Sequence, residues 1–166
     1  MKNRHVLYGV LGLALLGGAA AGHPVDHGSH TGRIARTRPS PAGNVVSAFH
    51  KALASGDAAT AANLIDQRAT IFEEGYVERG KADYVASHLP ADIEFSRAVH
   101  EALERRDVVA GTDMAVVTSE SRLTGTFKDK AVDRLSVETV VLRRGPAGWR
   151  IVHIHWSGRP APKASS

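Results

Sequence analysis

The 166-residue chain contains no cysteine, which excludes a disulfide framework and attachment of a lipid through cysteine at an export site. It also lacks an apolar run of the roughly 20 residues that a membrane-spanning helix needs. The N-terminal run, from Val6 to Ala21, has 16 residues and is rich in Gly and Ala. It follows the basic start "MKNRH" and ends in the small residues "AAAG", the order found in a secretory signal peptide. Residues 1–21 are therefore expected to be removed. The mature chain is expected to be periplasmic (or secreted), with no stable membrane insertion after cleavage.

One-signed charge is missing where a nucleic-acid surface would need it. The formal net charge is +4, but residues 44–159 carry 15 Lys and Arg against 16 Asp and Glu. The basic excess lies in the N-terminal segment, in "RIARTR" and at Lys163. A nucleic-acid partner is excluded on this ground. No nucleophile elbow, zinc-protease helix, phosphate loop or internal repeat is present either.

Residues 22–43, "GHPVDHGSHTGRIARTRPSPAG", show no apolar periodicity and read as a flexible arm rich in His, Arg and Pro. His23, His27 and His30, with Asp26, form a candidate site for Cu, Zn or Ni, since imidazole suits all three. Cleavage after Ala20 would leave Ala-Gly-His, whose amine, amides and imidazole make a square-planar copper site; cleavage after Ala21 would leave Gly-His, and after Gly22 an N-terminal His23.

A folded domain is expected over 44–159, followed by a disordered tail at 160–166. Asn44 is a plausible cap for a helix whose Val45, Val46, Phe49, Ala52 and Leu53 recur at helical spacing before Gly56. Asp57 can cap a second helix, "AATAANLID". "ATIFEEG" reads as a strand, "YVERG" as a turn or short strand, and "KADYVASHL" as a helix finishing near Pro90. "DIEFSRA" reads as brief helix or irregular structure. Beyond it come extended segments: one through "VVA", then "MAVVTSESRLTG", then one returning after a loop at Lys128–Lys130. A tight turn at "GPAG" leads into the last strand, "WRIVHIHWS". Helices first and an antiparallel meander afterwards imply an α+β fold, with helices on one face of a curved sheet.

This succession, with "FEEG" after the helix pair and "GWRIVHIHWS" at the end, resembles the nuclear transport factor 2-like superfamily, and within it SnoaL-like domains of bacterial exported proteins. The ending also resembles the last strand of the calcium/calmodulin-dependent kinase II association domain. The resemblance implies a cone-shaped (cystatin-like) sheet wrapped around N-terminal helices, a pocket at its open end, and a homodimer through the sheets. It does not imply a reaction. It places the pocket at Glu73, Glu74 and Tyr76, at Tyr84, His88 and Asp92, and at His153, His155 or Trp156.

His153 and His155 alternate on a strand and share a face. They could line the cavity wall, act as an acid/base pair, or hold a metal with His88 or Glu74 as third ligand. If Val152, Ile154 and Trp156 face inward instead, the histidines lie on the convex, dimer-forming face. Only one of Glu73 and Glu74 can point inward, and a carboxylate there would have its pKa raised. Alternatively, one of the two is solvated and the other pairs with an arginine such as Arg79 or Arg122. Tyr76 and Asp92 are the residue types of a ketosteroid isomerase, without all of its positions. Glu120, Arg122 and Glu138 are expected to form function-free cross-strand ion pairs.

The ligand-binding candidates are thus Glu74, Tyr76, His88, Asp92, His153, His155 and Trp156. The expected function is binding of a small, partly apolar molecule. The alternatives are an isomerase or cyclase with a cavity His or Glu as general base, and copper handling through the arm.

Overall fold

A computed structural model describes residues 40–162. The proposed signal peptide and most of the arm, including His23, His27 and His30, lie outside the described residues.

Helix α1 spans Pro41–Ser55, starting three residues before Asn44. Ser40 is its cap, and the Ser40 hydroxyl accepts from the Gly43 N–H at 2.9 Å. Pro41 fills the first turn, where a missing N–H costs nothing. Gly56, at φ 80°, ends the helix in the left-handed conformation that its lack of a Cβ permits. Asp57 caps α2 (Ala58–Leu64), which is shorter than expected because β1 (Ile65–Glu73) begins at once. β2 (Tyr76–Arg79) pairs back onto β1.

The helix expected to finish near Pro90 does so, at Ser87, and Pro90 lies in the start of a further one. α3 covers Lys81–Ser87, His88 joins it to α4 (Leu89–Ala98), and Pro90 sits in the first turn of α4. The "DIEFSRA" stretch belongs to this helix. β3 (Val99–Ala110), β4 (Met114–Phe127), β5 (Lys130–Gly145) and β6 (Gly148–Pro160) complete the chain. The turn between β4 and β5 uses positive φ at Lys128 (49°) and Asp129 (62°), as a tight hairpin of right-twisted strands requires. Pro160, placed in the tail by sequence, is the last residue of β6, and the Ala161 N–H donates to the Asp133 carbonyl at 3.0 Å.

The six strands form one sheet in the order β2-β1-β6-β5-β4-β3, parallel only between β1 and β6. It is curved and unclosed, with α1 packed on the inner surface against β3, β4 and β6. The architecture is α+β, as expected. One transverse row of inward residues, Ile71, Ile154, Val140 and Val117, is buried under Val46, Phe49 and Leu53 of α1. Each such side chain removed from water contributes about 1.5–3 kcal/mol.

Candidate functional site

The parity of β6 decides where the histidines go. Val141 pairs with His153 but Leu142 pairs with Ile151, so Val152 is an extra residue, a β-bulge. The bulge lets Ile151 and Ile154 both face the core, where both are fully buried. Trp156 therefore points inward as well, and His153 and His155 point to the opposite face. There the Phe72 ring meets both edge-on, at 5.0 and 6.0 Å between centroids. His153 Nδ1 lies 2.9 Å from the Thr70 carbonyl, to which it donates. The expected place of these two histidines on the cavity wall is thus corrected: they sit on the outer face. They cannot join His88, which is held on the inner side. Among the described residues no cluster of three or more His, Asp and Glu has the geometry of a metal site.

The inner face carries a second transverse row just beyond the apolar one. Strand register aligns Tyr76, Glu73, Trp156, Glu138, Ser119 and Arg106, one residue from each strand. The apolar alternation of Leu142–Val140 continues into Glu138, and that of Ala115–Val117 into Ser119 and Ser121. One half of the inner surface is therefore dry core and the other half is polar. Two polar clusters occupy it.

The first cluster is centred on His50 of α1. His50 Nε2 is 2.7 Å from Glu138 Oε1, and Nδ1 is 3.1 Å from Glu101 Oε2. Glu138 also accepts from Trp156 Nε1 at 2.9 Å and from the Ser119 hydroxyl at 3.0 Å. Arg106 donates to Ser119 at 3.0 Å and to Ser47 at 2.7 Å, and Ser121 donates to Glu101 at 2.8 Å. Burial favours neutral imidazole, but the two carboxylates outweigh it and push the His50 pKa up to about 10. Burial likewise opposes ionisation of Glu101 and Glu138. The His50 charge and hydrogen bonds nevertheless bring Glu101 down to about 2 and lower Glu138. Two cations here face two anions, so the cluster is balanced and needs no ligand.

The second cluster lies between β1, β2, α3 and α4, and it is not balanced. Glu73, Glu78 and Asp92 share it with one histidine, His88, whose Nδ1 contacts Glu78 Oε1. The other Glu78 oxygen is buried without a partner. The Tyr84 hydroxyl, fully buried, donates to Asp92 Oδ2 at 2.6 Å. Tyr76 is half-exposed at the rim, its ring 5.6 Å from that of His88. Burial, then the nearby Asp92 charge, raises the Glu73 pKa to about 7. Burial raises Asp92 to about 6 although the Tyr84 hydrogen bond works the other way. Burial and the adjacent Asp92 carboxylate together push the Tyr84 hydroxyl well above its usual value. Two carboxyl groups that titrate near neutrality are suited to moving protons.

The structure thus brings together Tyr76, His88, Asp92 and Trp156 on the inner face and leaves out His153 and His155. Glu74 is also corrected. It sits in the turn after β1 at φ 47° and pairs with Arg134 at 3.2 Å on the surface, so the inward carboxylate is Glu73. The expected ion-pair face separates too: Arg122 makes a bidentate pair with Asp133 at 2.9 Å outside, while Glu138 turns inward. His50 escaped notice although Val46, Phe49, His50 and Leu53 fall at i, i+3, i+4 and i+7, which puts it on the apolar stripe. Two surface hollows, of about 410 and 380 Å³, border neither Glu73 nor Asp92. The larger is bordered by Glu104, Glu120, Val137 and Arg159, and the smaller by Pro41, Arg144 and Trp149.

Residues 43–162 match the SnoaL-like domain family model. The chain belongs to the SnoaL-like family. Among solved structures it is similar to a candidate ketosteroid isomerase from Shewanella frigidimarina, at 35% identity and TM-score 0.69, covering 71% of this chain and 95% of that one. A candidate dehydratase of the NTF2-like family from Streptomyces avermitilis is 24% identical with TM-score 0.63, covering 72% and 94%. The calcium/calmodulin-dependent kinase II hub of S. rosetta is 26% identical with TM-score 0.60, covering 74% and 100%. No curated protein sequence matches the chain. The architecture read from the sequence is that of solved structures named NTF2-like and cystatin-like.

Proposed function

We propose that this SnoaL-like domain binds a small, partly apolar molecule at the polar half of its inner face and moves a proton on it through Glu73 and Asp92. The reading rests on the unbalanced second cluster. Three carboxyl groups meet one histidine there, and two of the three titrate near neutrality. Near pH 7 Asp92, the lower of the two, is the more ionised, and its charge helps keep Glu73 near half-protonation, where it can both take up and return a proton. Glu73 as carboxylate takes a proton from an acidic C–H of the ligand. The electron pair of that bond moves into an adjacent carbonyl, whose oxygen gains the charge. Return of the proton from Glu73 to another carbon completes an isomerisation without any added reactant. Tyr84 touches only Asp92 and is a positioning residue.

The similarity to a candidate ketosteroid isomerase supports this class and suggests a probe, a β,γ-unsaturated ketosteroid. Formation of the conjugated isomer is expected, and Glu73→Gln is expected to lower the rate by roughly 10²- to 10⁴-fold, the usual worth of a general base. Buffer-level rates with the parent protein would leave only the binding half of the proposal.

Self-association through the outer sheet face belongs to the same reading. Val116 and Val137 are exposed there, and a domain similar in sequence is named a hub. Export to the periplasm is proposed from the N-terminal sequence alone.

A further inference from the structure

His153 and His155 take no part in the chemistry of the inner face. Alternate positions on β6 put their Cα atoms roughly 6.5 to 7 Å apart on the outer face. Their ring centroids are 6.5 Å apart. His153 gives its Nδ1–H to the Thr70 carbonyl at 2.9 Å, which leaves Nε2 as the nitrogen with a free lone pair. A backbone carbonyl on the far nitrogen is the support that a metal-ligating imidazole ordinarily has. The Phe72 ring, edge-on to both imidazoles, packs the pair from the β1 side. His155 is exposed and makes no hydrogen bond among the described residues, so its ring can turn toward His153 without breaking one. A metal–nitrogen bond of about 2.0–2.1 Å needs the two nitrogens about 3 Å apart, and that turn closes the gap.

We propose that His153 and His155 form a two-imidazole chelate for a divalent transition-metal ion, Cu(II) foremost, on the outer face of the sheet. The surroundings select the class of ion. Register flanks the pair with Thr70 and Phe72 of β1 and with Thr139 and Val141 of β5, none of them acidic. Calcium and magnesium need several oxygen ligands, which this site does not supply. Imidazole suits Cu(II), Ni(II) and Zn(II), and Cu(II) is held most tightly of the three in a given nitrogen site. Solvent fills the remaining coordination positions, so the site is open. It is independent of Glu73, which faces the other side of the sheet, and of the histidines of the N-terminal arm.

The test uses the full chain carrying His23→Ala, His27→Ala and His30→Ala, so that the arm histidines take no metal, and Cu(II) as the probe. Electron paramagnetic resonance is expected to show one bound Cu(II) per chain, coupled to two imidazole nitrogens. His153→Ala and His155→Ala are each expected to raise the Cu(II) dissociation constant about tenfold or more, because the second imidazole otherwise binds intramolecularly. Each is also expected to leave coupling to a single nitrogen. His100→Ala, exposed on β3 three strands away, is expected to change neither reading. Unchanged affinity in both strand variants would overturn the site, as would coupling to fewer than two nitrogens before they are made. Should those variants fail to fold, substoichiometric Cu(II) decides the point by NMR. The ring resonances of His153 and His155 are expected to broaden before those of His50, His88 and His100, and broadening that begins elsewhere refutes the site. Because the same face is proposed to meet a second copy, the titration is repeated with Val137→Glu added, and the same result is expected. Binding confined to that variant would refute the site for the assembled protein.

Discussion

At the scale of single residues, two buried charge clusters on one sheet face have opposite pH behaviour. His50 is raised to about 10, so its contribution to stability is complete below the unfolded value near 6.5 and is lost as pH rises through 10. Glu101, lowered to about 2, contributes above its unfolded value and loses that contribution as pH falls toward 2. Glu73 has the reverse sign. Its pKa is raised to about 7, so ionising it in the fold costs stability that is absent below about pH 4 and fully present above pH 7. Glu73→Gln is therefore expected to stabilise the protein at pH 8, by on the order of 2 kcal/mol, and to change little at pH 4. Thermal unfolding at the two pH values checks this. By contrast, His50→Ala should destabilise by about 3 kcal/mol at pH 7, because Glu138 and Glu101 lose the charge that lets them stay buried. Chemical denaturation measures it.

At the scale of elements, much of the architecture was legible because period and punctuation are local. Val46, Phe49 and Leu53 announce α1, and "GPAG" announces the last hairpin. What escaped depends on pairing between distant strands. The inward parity of β6 is set by the bulge at Val152, which no local pattern reveals, and with it went the placement of His153 and His155. Pro90 was legible as a helix boundary but not as a beginning. The polar row could have been read by extending the parity of Leu142 and Val140 to Glu138. Close approach of backbones is likewise invisible in the sequence. A Cβ on Gly125 would lie 2.8 Å from the Ala98 carbonyl oxygen, where α4 turns into β3. Gly125→Ala is expected to cost about 1–3 kcal/mol, visible as a lowered midpoint in urea with an unchanged slope.

At the scale of the whole molecule, the sheet separates two jobs. Its inner face is half apolar core and half polar, with the buried carboxyl cluster of the proposed function. Its outer face shows Val116, Val137, Phe72, His153 and His155 to a second copy in the proposed assembly. Val137→Glu is expected to yield monomers, since a charge buried at the centre of such an interface goes unpaired, while leaving the pKa values of the inner face in place. Sedimentation velocity at micromolar concentration distinguishes the states. Of the inner-face candidates placed by resemblance, Tyr76, His88 and Asp92 belong to the second cluster, while Trp156 bonds to Glu138 in the first.

The central claim is that an inward carboxylate of β1 titrates near neutrality beside Asp92. Carbon-13 NMR of the side-chain carboxyl groups between pH 3 and pH 9, assigned with Glu73→Gln, measures it directly. A Glu73 midpoint at about 7 is the predicted result. A midpoint near 4.5, the value of a solvated glutamate, would contradict the account.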